Sequence, residues 1–188
     1  MTVDEIATIV RQDESQTLER KRSLSLQREG LESLCAMVNA DPAHGVLVFG
    51  VAPNGEVVGV EPGDLDKAQR SISQAIGSKW EPRLQFVVEV ADVDGKRVVI
   101  VAATRTREVP YHEFDGRAFI REGTVTRHMT LVEKQSLQRR RSRDLHTGPW
   151  RCDGCGSWVG MLTQIVVTES GVRKSYECRC GGEYKPVT

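Results

Sequence analysis

The strongest constraint on this chain is a pair of apolar segments, Phe86–Val90 and Arg97–Ala102, on either side of Asp94-Gly95. Asp-Gly between two strand-forming runs is the signature of a tight hairpin, because both turn residues can take positive φ. A third apolar run, Val46–Val51, reads as a buried strand, and Pro53-Asn54-Gly55 then turns the chain toward a further expected strand, Glu56–Val60. A sheet is therefore the frame into which everything else must fit.

Helical periodicity fills the gaps. Ile6, Ile9 and Val10 share one side of a helix over Val3–Val10. Leu31, Leu34, Cys35 and Val38 do the same over Gln27–Asn39, and Leu65, Ala68, Ile72 and Ile76 over Asp64–Lys79, with Asp64 as the expected N-cap. Asp115-Gly116 predicts a second hairpin, joining Tyr111–Phe114 to Arg117–Arg121. Glu14–Ser23 is expected to be extended, and Thr130–Asp144 a polar, basic helix or linker. The order predicts an α+β fold: a mixed or mostly antiparallel sheet packed by helices. Two cysteine pairs, Cys152/Cys155 and Cys178/Cys180, set about an expected hairpin, add a small C-terminal zinc-ribbon domain. The expected division is a domain over 1–135, a basic linker over 136–148 and the ribbon over 149–188.

The chain has 188 residues, 39% hydrophobic and 28% charged, with zero formal net charge. Its apolar runs are too short to cross a bilayer and no secretory leader is evident, so the expected location is cytoplasmic, with no membrane partner. Neutrality hides a local bias. From Arg121 to Arg151 there are eight Lys or Arg (121, 127, 134, 139, 140, 141, 143, 151) against three acids (122, 133, 144). Such a stripe can bind phosphate even in a neutral chain.

Four of the five cysteines form two knuckles, Cys152-Asp-Gly-Cys155 and Cys178-Arg-Cys180, with an expected hairpin, Met161–Thr168 and Val172–Tyr176, between them. Four thiolates complete a tetrahedral structural Zn²⁺ site, and about 40 residues bury too little apolar surface to fold unaided. The spacing of the second knuckle is CxC where CxxC is usual; disulfides and free thiols are the alternatives. Cys35, on the apolar stripe of its helix, reads as a small buried side chain. His112 and His128 read as surface residues.

The most unusual stretch is Glu14-Ser-Gln-Thr-Leu-Glu19-Arg-Lys21-Arg22, with carboxylates and cations crowded ahead of the first long helix. Glu14-Ser15, Glu19, Lys21 and Arg22 open a series that continues with Ala36, Asn39, Gly45, Phe49-Gly50-Val51, Gly55 and Gly59-Val60. It ends with Tyr111, Phe119-Ile120-Arg121, Gly123 and Thr126. In order and spacing this resembles the Schlafen AlbA-like domain, a family linked to DNA and RNA binding, over roughly residues 10–135. The resemblance implies phosphate contacts by Lys21, Arg22, Arg121, Thr126 and Arg127, to which the run Arg139, Arg140, Arg141 and Arg143 adds a further candidate patch.

In Schlafen-type ribonucleases the resemblance further implies three acids holding Mg²⁺ or Mn²⁺. Glu14 and Glu19 would be two of them. The third position here is Ala52, which has no ligating atom; Asn54 offers only a neutral oxygen. Residues five apart converge only if the chain bends, and the alternative is that Glu14 caps or pairs locally while Glu19 pairs with Lys21 or Arg22. The leading expectation is a DNA- or RNA-binding protein; a metal-dependent endoribonuclease and a protein-interaction module acting through the ribbon are the others. A second copy of the chain is a further candidate partner.

Overall fold

A computed structural model describes residues 3–106, 109–146, 150–152, 154–156, 158–159, 166–168, 171–173 and 184–186. The chain divides into two compact units, Met1–Lys134 and Gln135–Thr188. The architecture is α+β. Among the described residues, no helix is long and apolar enough to cross a membrane.

In the first unit, α1 (Val3–Arg11) precedes β1 (Leu18–Lys21), α2 (Gln27–Asn39) and β2 (His44–Phe49). Then come α3 (Leu65–Lys79), β3 (Trp80–Glu81), β4 (Gln85–Val93) and β5 (Lys96–Thr104). Last are β6 (Glu113–Phe114), β7 (Phe119–Glu122) and β8 (Val125–His128). α4 (Leu131–His146) runs across the boundary between the units.

One mixed sheet of four strands, ordered β1-β2-β5-β4, organises the first unit. β1 lies parallel to β2, Leu18 opposite Val46, so β1–α2–β2 forms a crossover unit. The other pairings are antiparallel. Asp94 and Gly95 have φ of 54° and 73°, the turn that an Asp-Gly pair predicts.

The sheet is covered on both faces. On one, α2 and α3 bury Leu31, Leu34, Ile72 and Ile76 against Leu47, Phe49, Val99 and Val101. On the other, Ile6 and Val10 of α1 lie among Leu18, Val48, Val98 and Ile100. Burying each such side chain contributes about 1.5–3 kcal/mol.

α2 is enclosed on nearly every side, with residues 33–39 all buried, because β7 packs on it from the direction away from the sheet. Its approach to β2 depends on Gly45, where an added Cβ would stand 2.7 Å from Met37 Cβ.

Three sequence expectations change. Glu56–Val60 forms no strand; Val51 and Val57 make a single bridge. Both edges of β2 are already taken, by β1 and β5. The segment instead folds back so that the Gly50 carbonyl accepts from the N–H groups of Val58 and Gly59, each at 2.9 Å. Gly50 supports this with φ of 94°.

The Asp115-Gly116 hairpin forms only at its tip. Beyond the Phe114–Arg117 bridge, β6 pairs with β3 and β7 with β8. Trp80, stacked at 5.7 Å on Phe114, draws β6 away. Asp64 sits at the N-cap of α3 without a side-chain cap, because a 3-10 turn over Pro62–Asp64 runs directly into the helix.

The second unit contains β9 (Trp150–Cys152), β10 (Trp158–Val159), β11 (Val166–Thr168), β12 (Gly171–Arg173) and β13 (Tyr184–Pro186). β9 is flanked by β10 and β13, both antiparallel. β11 and β12 form an antiparallel pair, Val166 opposite Arg173.

Gly45→Ala should destabilise the fold by about 1–3 kcal/mol through overpacking against Met37, read as a lower midpoint in denaturant with an unchanged slope.

Candidate functional site

β1 carries polar residues into the interior. Leu18 joins the apolar cluster under α1. Alternation turns Glu19 and Lys21 to the opposite face, toward α2 and the β7–β8 hairpin. Glu19 and Arg121 are 6% and 2% exposed. The Arg121 guanidinium donates to Glu19 Oε2 at 2.8 Å, to the Ser15 carbonyl at 2.9 Å and to Thr126 Oγ1 at 3.2 Å. Thr126 in turn donates to Ser33 Oγ of α2 at 3.4 Å. The other carboxylate oxygen of Glu19 receives the Lys21 ammonium at 3.1 Å. Two desolvated charges are tolerable here because each has an opposite charge and further hydrogen bonds.

Gln16 fastens the same two segments beside this pair. Its Nε2 donates to the Arg121 carbonyl at 2.8 Å, and its Oε1 accepts from Gly123 N–H at 2.7 Å. Segment 14–21 and the β7–β8 turn are thus locked together from two directions.

The expected phosphate-binding set divides accordingly. Arg121 is not a surface residue: its donors are spent on Glu19, Thr126 and backbone carbonyls, and Thr126 is tied into the same network. Lys21 keeps 18% of its side chain exposed beside Glu19. Arg22 is exposed.

Arg127 alternates to the other face of the hairpin, where Glu122 and Glu133 both bind its guanidinium, the latter at 2.6 Å. Those contacts hold the Glu133 carboxyl down at about 2 and push Arg127 up. Glu133 also accepts from Thr130 N–H at 2.8 Å while Thr130 Oγ1 accepts from Glu133 N–H at 3.3 Å, a capping box that starts α4. Arg139 is exposed on α4. Arg140, Arg141 and Arg143 belong to the same helix, and their side chains lie outside the described residues.

The two carboxylates expected to share a metal have separate partners. Ser15 N–H bonds the Leu18 carbonyl at 3.0 Å, bending the chain between Glu14 and Glu19. Glu14 Oε1 then accepts from Arg20 N–H at 3.3 Å, the local capping role. Glu19 pairs with Lys21 as anticipated, but its closer cation is Arg121 and not Arg22. Ala52 is buried, and Asn54 Oδ1 is taken by Glu56 N–H at 3.1 Å. Among the described residues, no group of three His, Cys, Asp or Glu is placed to hold a metal ion.

Cys152 is buried and Cys155 exposed, on either side of a turn closed by Gly156 N–H on the Cys152 carbonyl at 3.0 Å. Cys178 and Cys180 lie outside the described residues.

Sequence reasoning missed four residues that support the site. Arg20 is buried with its Nη2 on the Pro53 carbonyl at 3.1 Å, pinning the loop that follows β2. Gln16 was unmarked. Asn39 matched the family pattern without a role; it donates to the His112 and Phe119 carbonyls at 2.8 and 2.9 Å and accepts from His112 N–H at 2.7 Å. His112 is 1% exposed, not a surface residue; its Nδ1 meets the Pro82 carbonyl at 2.7 Å and burial lowers its pKa. His128 is exposed and stacks at 4.6 Å on Phe119. Cys35 is fully buried, its thiol pushed up to about 12 by desolvation. Only Asn39 carried a readable signal, a polar residue at the buried end of an apolar helix stripe.

Glu19→Gln and Arg121→Met should each destabilise the fold by about 3–5 kcal/mol, because each strands a buried charge. Lys21→Ala, at the edge of the pair, should cost about 1 kcal/mol or less. The double variant Glu19→Gln/Arg121→Met should cost less than the sum of the two, as measured by urea unfolding.

Comparison with known proteins places this architecture. No curated protein matches the chain. The DIP2311 protein of Corynebacterium diphtheriae is structurally similar, with a TM-score of 0.51 at 17% identity over 88% of this chain. The chain spans 34% of that protein's length. The N-terminal domain of a RecG-related ATP-dependent DNA helicase protein from Nitrosomonas europaea aligns with a TM-score of 0.46 at 24% identity, over 69% of this chain and 93% of that one. The family described as Schlafen, AlbA_2 matches residues 14–130, the span that holds the Glu19–Arg121 network, and the chain belongs to that family.

Proposed function

We propose that this chain binds nucleic acid, DNA or RNA, through its phosphate backbone, at the surface where β1 ends. The observation that carries this reading is the Lys21–Glu19–Arg121 arrangement. Arg121, inside, neutralises Glu19. Lys21, 18% exposed and paired with Glu19, sits at the edge of this pair next to exposed Arg22, and the three charges together leave one net positive. A cation anchored on a rigid interior loses little entropy on meeting a phosphate. Family membership supports the same reading.

Within this proposal Arg121 and Thr126 act as positioning residues, and Arg127, already held by two carboxylates, contributes little. Arg139, Arg140, Arg141 and Arg143 provide a second stretch of phosphate contacts from the other unit.

Binding to duplex DNA, single-stranded DNA and tRNA, followed by fluorescence anisotropy from low to high salt, tests the proposal. The logarithm of affinity should fall linearly with the logarithm of salt. Lys21→Ala/Arg22→Ala should weaken binding to all sequences alike and reduce the slope by about 2. Affinity indifferent to salt would sink the reading. Loss of intact tRNA in the presence of Mn²⁺, abolished by Glu14→Gln, would instead identify a nuclease.

The second unit, in the same proposal, is closed by Zn²⁺ on Cys152, Cys155, Cys178 and Cys180. β13 begins four residues after Cys180, and its Tyr184 is registered on Cys152, which fits a ribbon whose two knuckles share one ion. Purified protein should carry one zinc per chain, and chelation should abolish the near-ultraviolet signal of Trp150 and Trp158 while leaving the first unit folded.

A further inference from the structure

β4 ends the four-stranded sheet. Its nine residues pair with β5 in unbroken register, from Gln85 opposite Thr104 to Val93 opposite Lys96. The two-residue turn makes Val93 and Lys96 a hydrogen-bonded pair, so alternate residues back along the strand, Ala91, Glu89 and Val87, point their backbone groups at β5. Those of Val90, Val88 and Phe86 therefore point outward, and among the described residues no strand meets them. Natural sheets guard such edges with Lys, Pro, bulges or short length. β4 is long and regular, and contains no Lys, Arg or Pro.

The side chains match the backbone. Val87 is 55% exposed. It ends an apolar row, Val46–Ala102–Val87, that crosses three strands. The α1 cluster takes in the neighbouring residues toward the hairpin turn, Val48, Ile100, Ala91 and Val93, and reaches the row only at Val46, leaving Ala102 and Val87 outside it. The row floors a shallow depression of about 390 Å³, flanked by His44, Gln85 and Thr104.

We infer that β4 pairs antiparallel with β4 of a second copy of this chain, about a two-fold axis at Val87, joining two sheets into one of eight strands. The occupant follows from the complementarity of the strand with itself. With Val87 opposite its own copy, Phe86 meets Val88, an aromatic on a β-branched residue, and both have outward-pointing backbone groups. Gln85 meets Glu89 and can donate to its carboxylate. Arg83, exposed just before the strand, falls on the diagonal from Glu89. An axis at Glu89 would set carboxylate on carboxylate, and one at Val88 would set Glu89 on Val87. In the chosen register the apolar row continues unbroken into the second sheet.

Analytical ultracentrifugation of the full chain, over concentrations from about 1 to 100 μM, tests this. The wild type should show a concentration-dependent monomer–dimer equilibrium. Val87→Lys and Val87→Glu, each at an exposed position, should keep the wild-type far-ultraviolet circular dichroism spectrum and weaken the dimer by at least about tenfold. An equimolar mixture of the two variants should restore it, since opposite charges then meet across the axis. A wild type that stays monomeric throughout overturns the proposal, as does a Val87→Lys variant that dimerises like the wild type.

Discussion

The buried pair of Glu19 and Arg121 is the interaction on which the first unit depends. It joins β1, an edge of the sheet, to β7, which belongs to a separate hairpin, across 102 residues of chain. Apolar packing alone would let that hairpin slide on α2, because hydrophobic contact has no direction. A guanidinium that must find one carboxylate, one hydroxyl and particular carbonyls accepts a single arrangement. Gln16, grasping the neighbouring turn, adds a second fixed point.

This arrangement changes what the polar residues of the segment are for. A surface reading treats Glu14, Glu19, Lys21, Arg22 and Arg121 as one population of solvated charges. The structure sorts them by depth. Glu14 closes a bend, Glu19 and Arg121 neutralise each other inside, Lys21 caps that pair at its edge, and Arg22 is exposed. A chain of zero formal net charge can thus present a cation at a defined place, since the anion beside it has already been offset from below.

The helices and the Asp94-Gly95 hairpin were legible in the sequence because their causes are local. α2 spans the residues its periodicity marks, and a turn needing positive φ announces itself as Asp-Gly. Where pairing depends on which edges remain free, local signals fail. Glu56–Val60 has strand composition, yet β2 has no edge left to offer it. The second hairpin keeps its turn but loses its arms to Trp80 and to β8. The candidate site suffered most, since nothing near Arg121 in the sequence says that it is buried; that fact lives in Glu19, Ser15 and Thr126. His112 was misread for the same reason, its burial being set by Asn39 and Pro82.

The enclosure of α2 has a consequence for how the chain is made. Asn39 finds a partner in Phe119, 80 residues further on, and the helix has no solvent side to rest on until β7 arrives. Contacts of such long range make for slow folding, since loop closure must precede the reward. On a ribosome adding about 5–20 residues per second, α2 waits roughly 4–16 s for its outer wall. During that interval its apolar surface is open to chaperones, and the nascent chain is at its most vulnerable just before the hairpin emerges.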